Sequence, residues 1–344
     1  MHDFFIKKWE DKMKKIFRDG KAKIFFITLI ILVCCLLFQW KHQQKNSFLD
    51  KQIINNPIEL LNRLSEKEKE TLKFFFYAAF WESYAYVLLG DKPMSICHYP
   101  KLEIYKNGKI MPFYEIGHSI YYTYHPRSKK IKKGWKVFKR YIPSLLSSNF
   151  LVKKENNYIL FINKKNFIKT ISLNLEDFQS VLGNTITPEN IYQRCQKGEN
   201  LYKSILKGHE GLFGTLLGFG RNNAWTYHER DGLRKEIENG NYSPEVLKKK
   251  KEEYKKINDK LACFCEIDAP FYLEKEEDFS SHEILDIYGK YFPNSLSLPE
   301  FVCDKEDPET LHLTQTYESN KNYIIQYYID NNFLTGTLKA LGKR

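Results

Sequence analysis

The stretch Ile205 to Arg234, ILKGHEGLFGTLLGFGRNNAWTYHERDGLR, constrains the chain more than any other. Gly208, Gly211, Gly214 and Gly218 run through an apolar, helix-like pattern, and Gly220 then opens a cluster of polar and charged side chains. A glycine inside a helix costs about 1 kcal/mol against alanine, so four would cost on the order of 4 kcal/mol. That is a large part of a domain's net stability, and something must offset it. Read as one helix at 100° per residue, Gly211, Gly214 and Gly218 fall within about 60° of one another, with Gly208 about 60° further on. One face is then nearly bare backbone, opposite His209, Leu212, Phe213 and Leu216. Such a face lets another helix or strand approach closely, and dispersion across the contact would offset the glycine cost. Gly211, Gly214 and Gly218 are therefore expected as packing residues, and His209 as a hydrogen-bonded core histidine rather than a ligand.

The segment after it holds the candidate chemistry. Gly218-Phe219-Gly220 would let the backbone curl around an anion, with Arg221 as charge partner and Asn222 and Asn223 as amide donors. A dinucleotide loop is excluded by order, because a helix rather than a strand precedes the glycines and the third glycine is missing. His228, Glu229 and Arg230, with Asp231 beside them, form the densest ionisable run. A His/Glu pair suits general acid–base work while Arg221 or Arg230 holds an anionic group. The plainer expectation is salt bridges at a helix start. Convergence in an open pocket would favour catalysis, and burial or scattered ion pairs would oppose it.

No metal or cofactor is expected. Cys263-x-Cys265 has too short a spacing for the usual zinc thiol pair, and His282 to Asp286 places aspartate where the zinc helix needs its second histidine. Neither a P-loop nor a G-x-S-x-G elbow occurs.

Ile24 to Phe38 is a run of 15 residues without a charge, which Gln39 and Trp40 extend. A spanning helix needs roughly 17 to 25 residues, so Trp40 and snorkelling lysines must complete it. Residues 1–23 carry eight Lys/Arg and the next 20 after the run carry three, which places the N-terminus in the cytoplasm. The reading is a basic leader 1–23, an uncleaved signal anchor 24–40, a polar stalk 41–56 and an extracytoplasmic domain 57–344. A further subdivision is read near 183–187. A cleaved signal followed by secretion is the alternative, although Leu36 to Lys41 lacks a small-x-small site. The bilayer, through Ile24 to Trp40, is thus the first partner, with an envelope protein or glycan as the second. Nucleic acid is not expected, despite a formal charge of +12, because only nine of the 54 basic residues are Arg. An oxidising compartment permits disulfides among Cys97, Cys195, Cys263, Cys265 and Cys303, but five thiols leave at least one unpaired.

The domain reads as α+β, mostly helical with small antiparallel hairpins. Ser65 and Glu68 form a capping box, and Phe74 to Leu89 is apolar almost all round, which predicts one core helix closed by Gly90. Asn107-Gly108 marks a hairpin within 102–112, and Ile120 to Tyr124 continues the sheet. A second hairpin is read over Leu151 to Ile171, with Tyr158 to Ile162 as the buried strand and Asn163 to Asn166 as a turn. Arg127 to Arg140 holds eight basic residues and no acid, interleaved with Trp135 and Phe138. That pattern suits nucleic-acid, anionic-lipid or acidic-glycan surfaces, against the plainer reading of a solvated loop and helix face. Thr187-Pro188-Glu189, Ser243-Pro244-Glu245 and Asp307-Pro308-Glu309 each supply a cap, a first-turn proline and an acid, so three helices should start there.

The phrases Tyr86-VLLGDKPM-Ser95 and Ile205-LKGHEGLFGTLLGFGRNNA-Trp225 resemble those of uncharacterised membrane-anchored proteins of chlamydia-like intracellular bacteria. The resemblance spans about a tenth of the chain. It implies an envelope location and no assigned reaction, and offers no catalytic residues to carry over. Two function classes follow: a binding or scaffold protein of the envelope, or an anchored enzyme acting on an anionic or glycan-like substrate through the 220–231 cluster.

Overall fold

A computed structural model of the chain describes residues 56–99, 125–264, 296–299 and 301–342. All of them belong to one compact unit, Asn55–Arg344. The expected leader and anchor, the hairpin over 102–112, the strand over 120–124, Cys265 and the His282 to Asp286 motif lie outside the described residues. Among the described residues no helix is long and apolar enough to cross a membrane.

The fold is mostly helical, with a small antiparallel sheet of three strands. Among the described residues helices α1 (Pro57–Arg63), α2 (Glu66–Trp81) and α3 (Tyr84–Leu89) come first. The Ser65 side chain accepts from the Glu68 amide while Glu68 accepts from Ser65, so the box starts α2 as its sequence dictates. The apolar run does not continue as one helix to Gly90. It breaks at Glu82-Ser83, where Ser83 takes φ 62°, and restarts as α3. The break turns Tyr84, Ala85, Tyr86 and Val87 into the same interior that Phe75, Phe76 and Ala79 occupy. The Phe75 ring meets Phe76 and Phe138 at 5.6 Å and Trp135 and Phe161 at 6.2 Å. Phe138 and Trp135 come from α4 (His125–Tyr141), which approaches α2 closely because a Cβ at Gly134 would overlap that of Phe75.

Strands β1 (Met94–His98), β2 (Phe150–Glu155) and β3 (Tyr158–Asn163) pair antiparallel in the order β1-β3-β2. The central β3 buries Ile159, Leu160, Phe161 and Ile162, a continuous apolar run because both of its faces are covered. The β2–β3 turn falls at Asn156, with φ 47°, and not at Asn163 to Asn166. Asn163 is instead the N-cap of α5 (Lys164–Leu173), accepting from the Asn166 amide at 3.2 Å. Asparagine favours both roles, and the local sequence does not separate them.

Helices α6 (Leu175–Leu182) and α7 (Pro188–Gln196) lead into a π-helical turn, Leu201–Ile205. A buried ion pair fixes that turn on the sheet. Lys153 Nζ lies 2.6 Å from Glu155 Oε1, and the two Glu155 oxygens accept the Leu201 amide at 3.0 and 3.1 Å. Then come α8 (Glu210–Leu216), α9 (Arg221–Asn239), α10 (Pro244–Lys260), strands β4 (Leu261–Phe264) and β5 (Phe301–Asp304), α11 (Pro308–Asp330) and α12 (Phe333–Gly342). The three proline-marked starts are those of α7, α10 and α11, capped by Thr187, Ser243 and Asp307. Cys97, Cys195 and Cys303 are buried, Cys195 and Cys303 as free thiols, and burial pushes Cys195 up to about 11.

Candidate functional site

The glycine stretch is not one helix. Lys207 (φ 53°) and Gly208 (φ 73°) end the π-helical turn, and His209 starts α8 by accepting the Leu212 amide on Nδ1 at 3.2 Å. After α8, Gly218 (φ 76°) and Gly220 (φ 83°) reverse the chain into α9. The common face expected for Gly208, Gly211, Gly214 and Gly218 is therefore corrected: only Gly211 and Gly214 sit inside a helix. Gly208, Gly218 and Gly220 occupy left-handed backbone, where glycine carries no steric penalty. The helical cost falls to about 2 kcal/mol, and close packing stands against it. A Cβ on Gly214 would lie 2.9 Å from that of Ala224 on α9, and one on Gly211 would lie 3.4 Å from Trp225. The helix that uses the bare face is thus the next one in the chain. Gly218 faces elsewhere, against Tyr317, Pro93 and Lys92.

The polar exit is occupied by the protein's own carboxylates. The amides of Arg221 and Asn222, at the start of α9, donate to Glu309 Oε1 and Oε2, each at 2.7 Å. A Cβ at Gly220 would sit 3.1 Å from that carboxyl group, so glycine there admits the bidentate contact. The Arg221 guanidinium pairs with Asp177 of α6, Nε to Oδ2 at 2.5 Å and Nη2 to Oδ1 at 2.9 Å. Asn222 Nδ2 donates to Asp307 at 3.1 Å. Asn223 is buried, donating to Thr310 Oγ1 at 2.8 Å and accepting the Asp304 amide at 3.0 Å. Two helix starts, those of α9 and α11, are thereby clasped together, with Asp307 and Glu309 near both positive dipole ends.

His228, Glu229 and Arg230 point three ways, as consecutive helical residues must. The His228 ring lies 4.1 Å from the His209 ring, which in turn lies 4.9 Å from Trp225. Glu229 is exposed. Arg230 turns towards α10, over the Tyr227 ring at 4.6 Å and 3.4 Å from Asn258 Oδ1. Burial, and then the neighbouring His228, hold His209 below the usual imidazole range, which keeps Nδ1 free to accept as a cap. Asp231 is buried. That burial raises its carboxyl, yet Lys235 and Arg234, each at 2.5 Å, outweigh it and hold the group below its ordinary value.

Sequence reasoning missed Lys92, Asp177, Glu309 and Tyr317 as members of this region. Lys92 is fully buried, with Nζ donating to the Leu217 carbonyl at the end of α8 and lying 5.1 Å from the Phe219 ring and 5.8 Å from the Tyr317 ring. Burial pulls its ammonium down to about 7. The Tyr317 hydroxyl donates to the Gly218 carbonyl at 2.7 Å. Glu309 is visible in the sequence only as an acid at its own helix start; its partners lie 88 and 87 residues away. Among the described residues no group of three or more His, Cys, Asp or Glu is arranged to hold a metal ion. An open depression of about 450 Å³ runs along α10, between Pro244, Leu247, Lys248, Lys251, Glu252 and Lys255, and contains none of the candidate residues. Comparison with protein-family models, with curated proteins and with solved structures finds no match to this chain.

Proposed function

We propose that the chain is a membrane-anchored binding or scaffold protein of the bacterial envelope. In this reading Ile24 to Trp40 holds it in the inner membrane with the N-terminus inside, and the Asn55–Arg344 unit works outside the cytoplasm on an envelope protein or glycan. One observation carries the choice of a binding protein over an enzyme. Arg221, Asn222 and Asn223, the groups that would hold an anionic substrate, are bonded to Asp177, Asp307, Glu309 and Thr310 of the same chain. His228, Glu229 and Arg230 add no second site, because they lie on different sides of α9.

Spheroplasts carrying the chain with a tag at each end test the placement. The C-terminal tag should be removed by added protease, the N-terminal tag should survive, and the full-length chain should resist alkaline extraction from the membrane. A chain that starts after about residue 40 and leaves with the soluble fraction contradicts the anchored reading in favour of secretion. For the choice of class, a His228→Ala, Glu229→Ala, Arg230→Ala triple variant should complement a deletion strain as the parent does. Loss of complementation by a normally accumulating triple variant would favour the enzyme.

A further inference from the structure

Helix α4 has two unlike sides. Ile131, Gly134, Trp135 and Phe138 are turned inward to α2, and at 100° per residue Lys132, Lys133, Lys136, Lys139 and Arg140 share an arc of about 120° on the opposite side. Trp135 and Phe138 are only 5% and 1% exposed and stack on each other at 5.3 Å. The basic–aromatic interleaving of the sequence therefore does not offer rings for stacking on bases; it is a core face and a cationic face wound together. Lys154 of β2 continues the cationic face, since it and Lys132 lie over the same Tyr99 ring at 4.1 and 5.9 Å. Among the described residues Lys133, Lys136 and Lys139 have no carboxylate partner, and Arg140 comes no nearer to one than 3.9 Å, at Glu68.

We infer that this face of α4 seats on the anionic headgroup plane of the bilayer that holds Ile24 to Trp40. The inference rests on the anchored reading proposed above. Charge complementarity and side-chain type select this occupant. Lysines are strongly hydrated point charges on flexible stems, suited to a diffuse anionic plane, whereas fixed phosphates and carboxylates are better read by arginine forks. Among the described residues α4 presents no apolar ring for insertion, so its contact is peripheral and electrostatic, and salt should screen it. The stalk, 41–56, spans at most about 55 Å, which keeps the unit near the membrane and makes a weak surface effective.

Full-length protein reconstituted in vesicles of phosphatidylcholine, with or without phosphatidylglycerol, tests it by lysine acetylation read by mass spectrometry. Modification of Lys133, Lys136 and Lys139 should slow by about tenfold in the anionic vesicles and recover in high salt. Lys248, Lys251 and Lys255 of α10 serve as internal controls and should react alike in both. A Lys133→Glu, Lys136→Glu, Lys139→Glu variant should lose the protection of Lys132 and Lys154. Equal reactivity in both vesicles overturns the inference. So does protection that appears only on adding RNA or an acidic polysaccharide, which would assign the face to that partner. A chain that does not insert at all overturns the anchored reading as well, whereas insertion without lipid-dependent protection overturns this surface alone.

Discussion

Gly214→Leu is expected to destabilise the protein by about 3 kcal/mol or more, enough to leave much of it unfolded at 37 °C. The position meets the Ala224 Cβ at 2.9 Å, the Ala224 Cα at 3.5 Å and the Phe219 ring at 3.7 Å, so a side chain there drives α8 and α9 apart. Their separation cannot relax freely. The four-residue turn between them is held by Lys92 on the Leu217 carbonyl, Tyr317 on the Gly218 carbonyl and Glu309 on the Arg221 and Asn222 amides. Gly232 supplies the contrast within α9, because nothing lies within 4 Å of a Cβ placed there. Gly232→Ala should therefore leave stability unchanged or raise it by up to about 1 kcal/mol. Urea unfolding of the two variants separates packing from helix propensity. A Gly214→Leu protein that unfolds at the parent's midpoint would show that the close approach of α8 and α9 is not needed.

Lys92→Met should stabilise the protein at neutral pH and remove a pH dependence that the parent shows. The unfolded lysine keeps its proton up to about 10.5, and the folded one releases it near 7. Between those values the unfolded state binds a proton that the folded state lacks, so parent stability rises with pH from about 7 to about 10.5 and is lower by the full amount below that window. The burial cost at pH 7 is on the order of 4 kcal/mol. Two contacts act against it: the Leu217 carbonyl and the ring faces of Phe219 and Tyr317 favour the ammonium. Methionine also leaves that carbonyl without its donor, at about 1 to 3 kcal/mol. The net gain for Lys92→Met is then about 2 kcal/mol at pH 7, vanishing or reversing above pH 10. Denaturant melts between pH 6 and 10 check this. A variant with the parent's slope would mean that another group sets the dependence.

The parts of the fold that were legible in the sequence are those decided within one turn of chain. Ser65 with Glu68, and the three cap-proline-glutamate starts, satisfy their own helix ends locally, so periodicity and capping found them. The break at Ser83 was only faintly marked, since Glu82 and Ser83 interrupt the apolar run there but no glycine or proline announces a stop and the run resumes at Tyr84. The same ambiguity governed the glycine stretch. A helical wheel presumes continuous helix, whereas Gly208, Gly218 and Gly220 adopt positive φ, which glycine permits without changing the spacing of apolar residues. Asp177, Lys92 and Glu309 were illegible as site residues for a different reason: their partners are 44, 125 and 88 residues distant, and only tertiary packing brings them together. Local reasoning singled out Arg221, Asn222 and Asn223 as partners for an anion; the first two meet carboxylates, whereas Asn223 bonds the Thr310 hydroxyl, the Phe219 carbonyl and the Asp304 amide. It did not show that the anion is supplied from within the chain.

Amide exchange at Arg221 and Asn222 tests that internal clasp most directly, measured by mass spectrometry or NMR on the full chain with and without inorganic phosphate. Both amides donate to Glu309, so they should be strongly protected in the parent, indifferent to phosphate, and exposed to exchange in Glu309→Ala. Free exchange in the parent, with protection appearing only when phosphate is added, would contradict the clasp and return the start of α9 to the role of a ligand site.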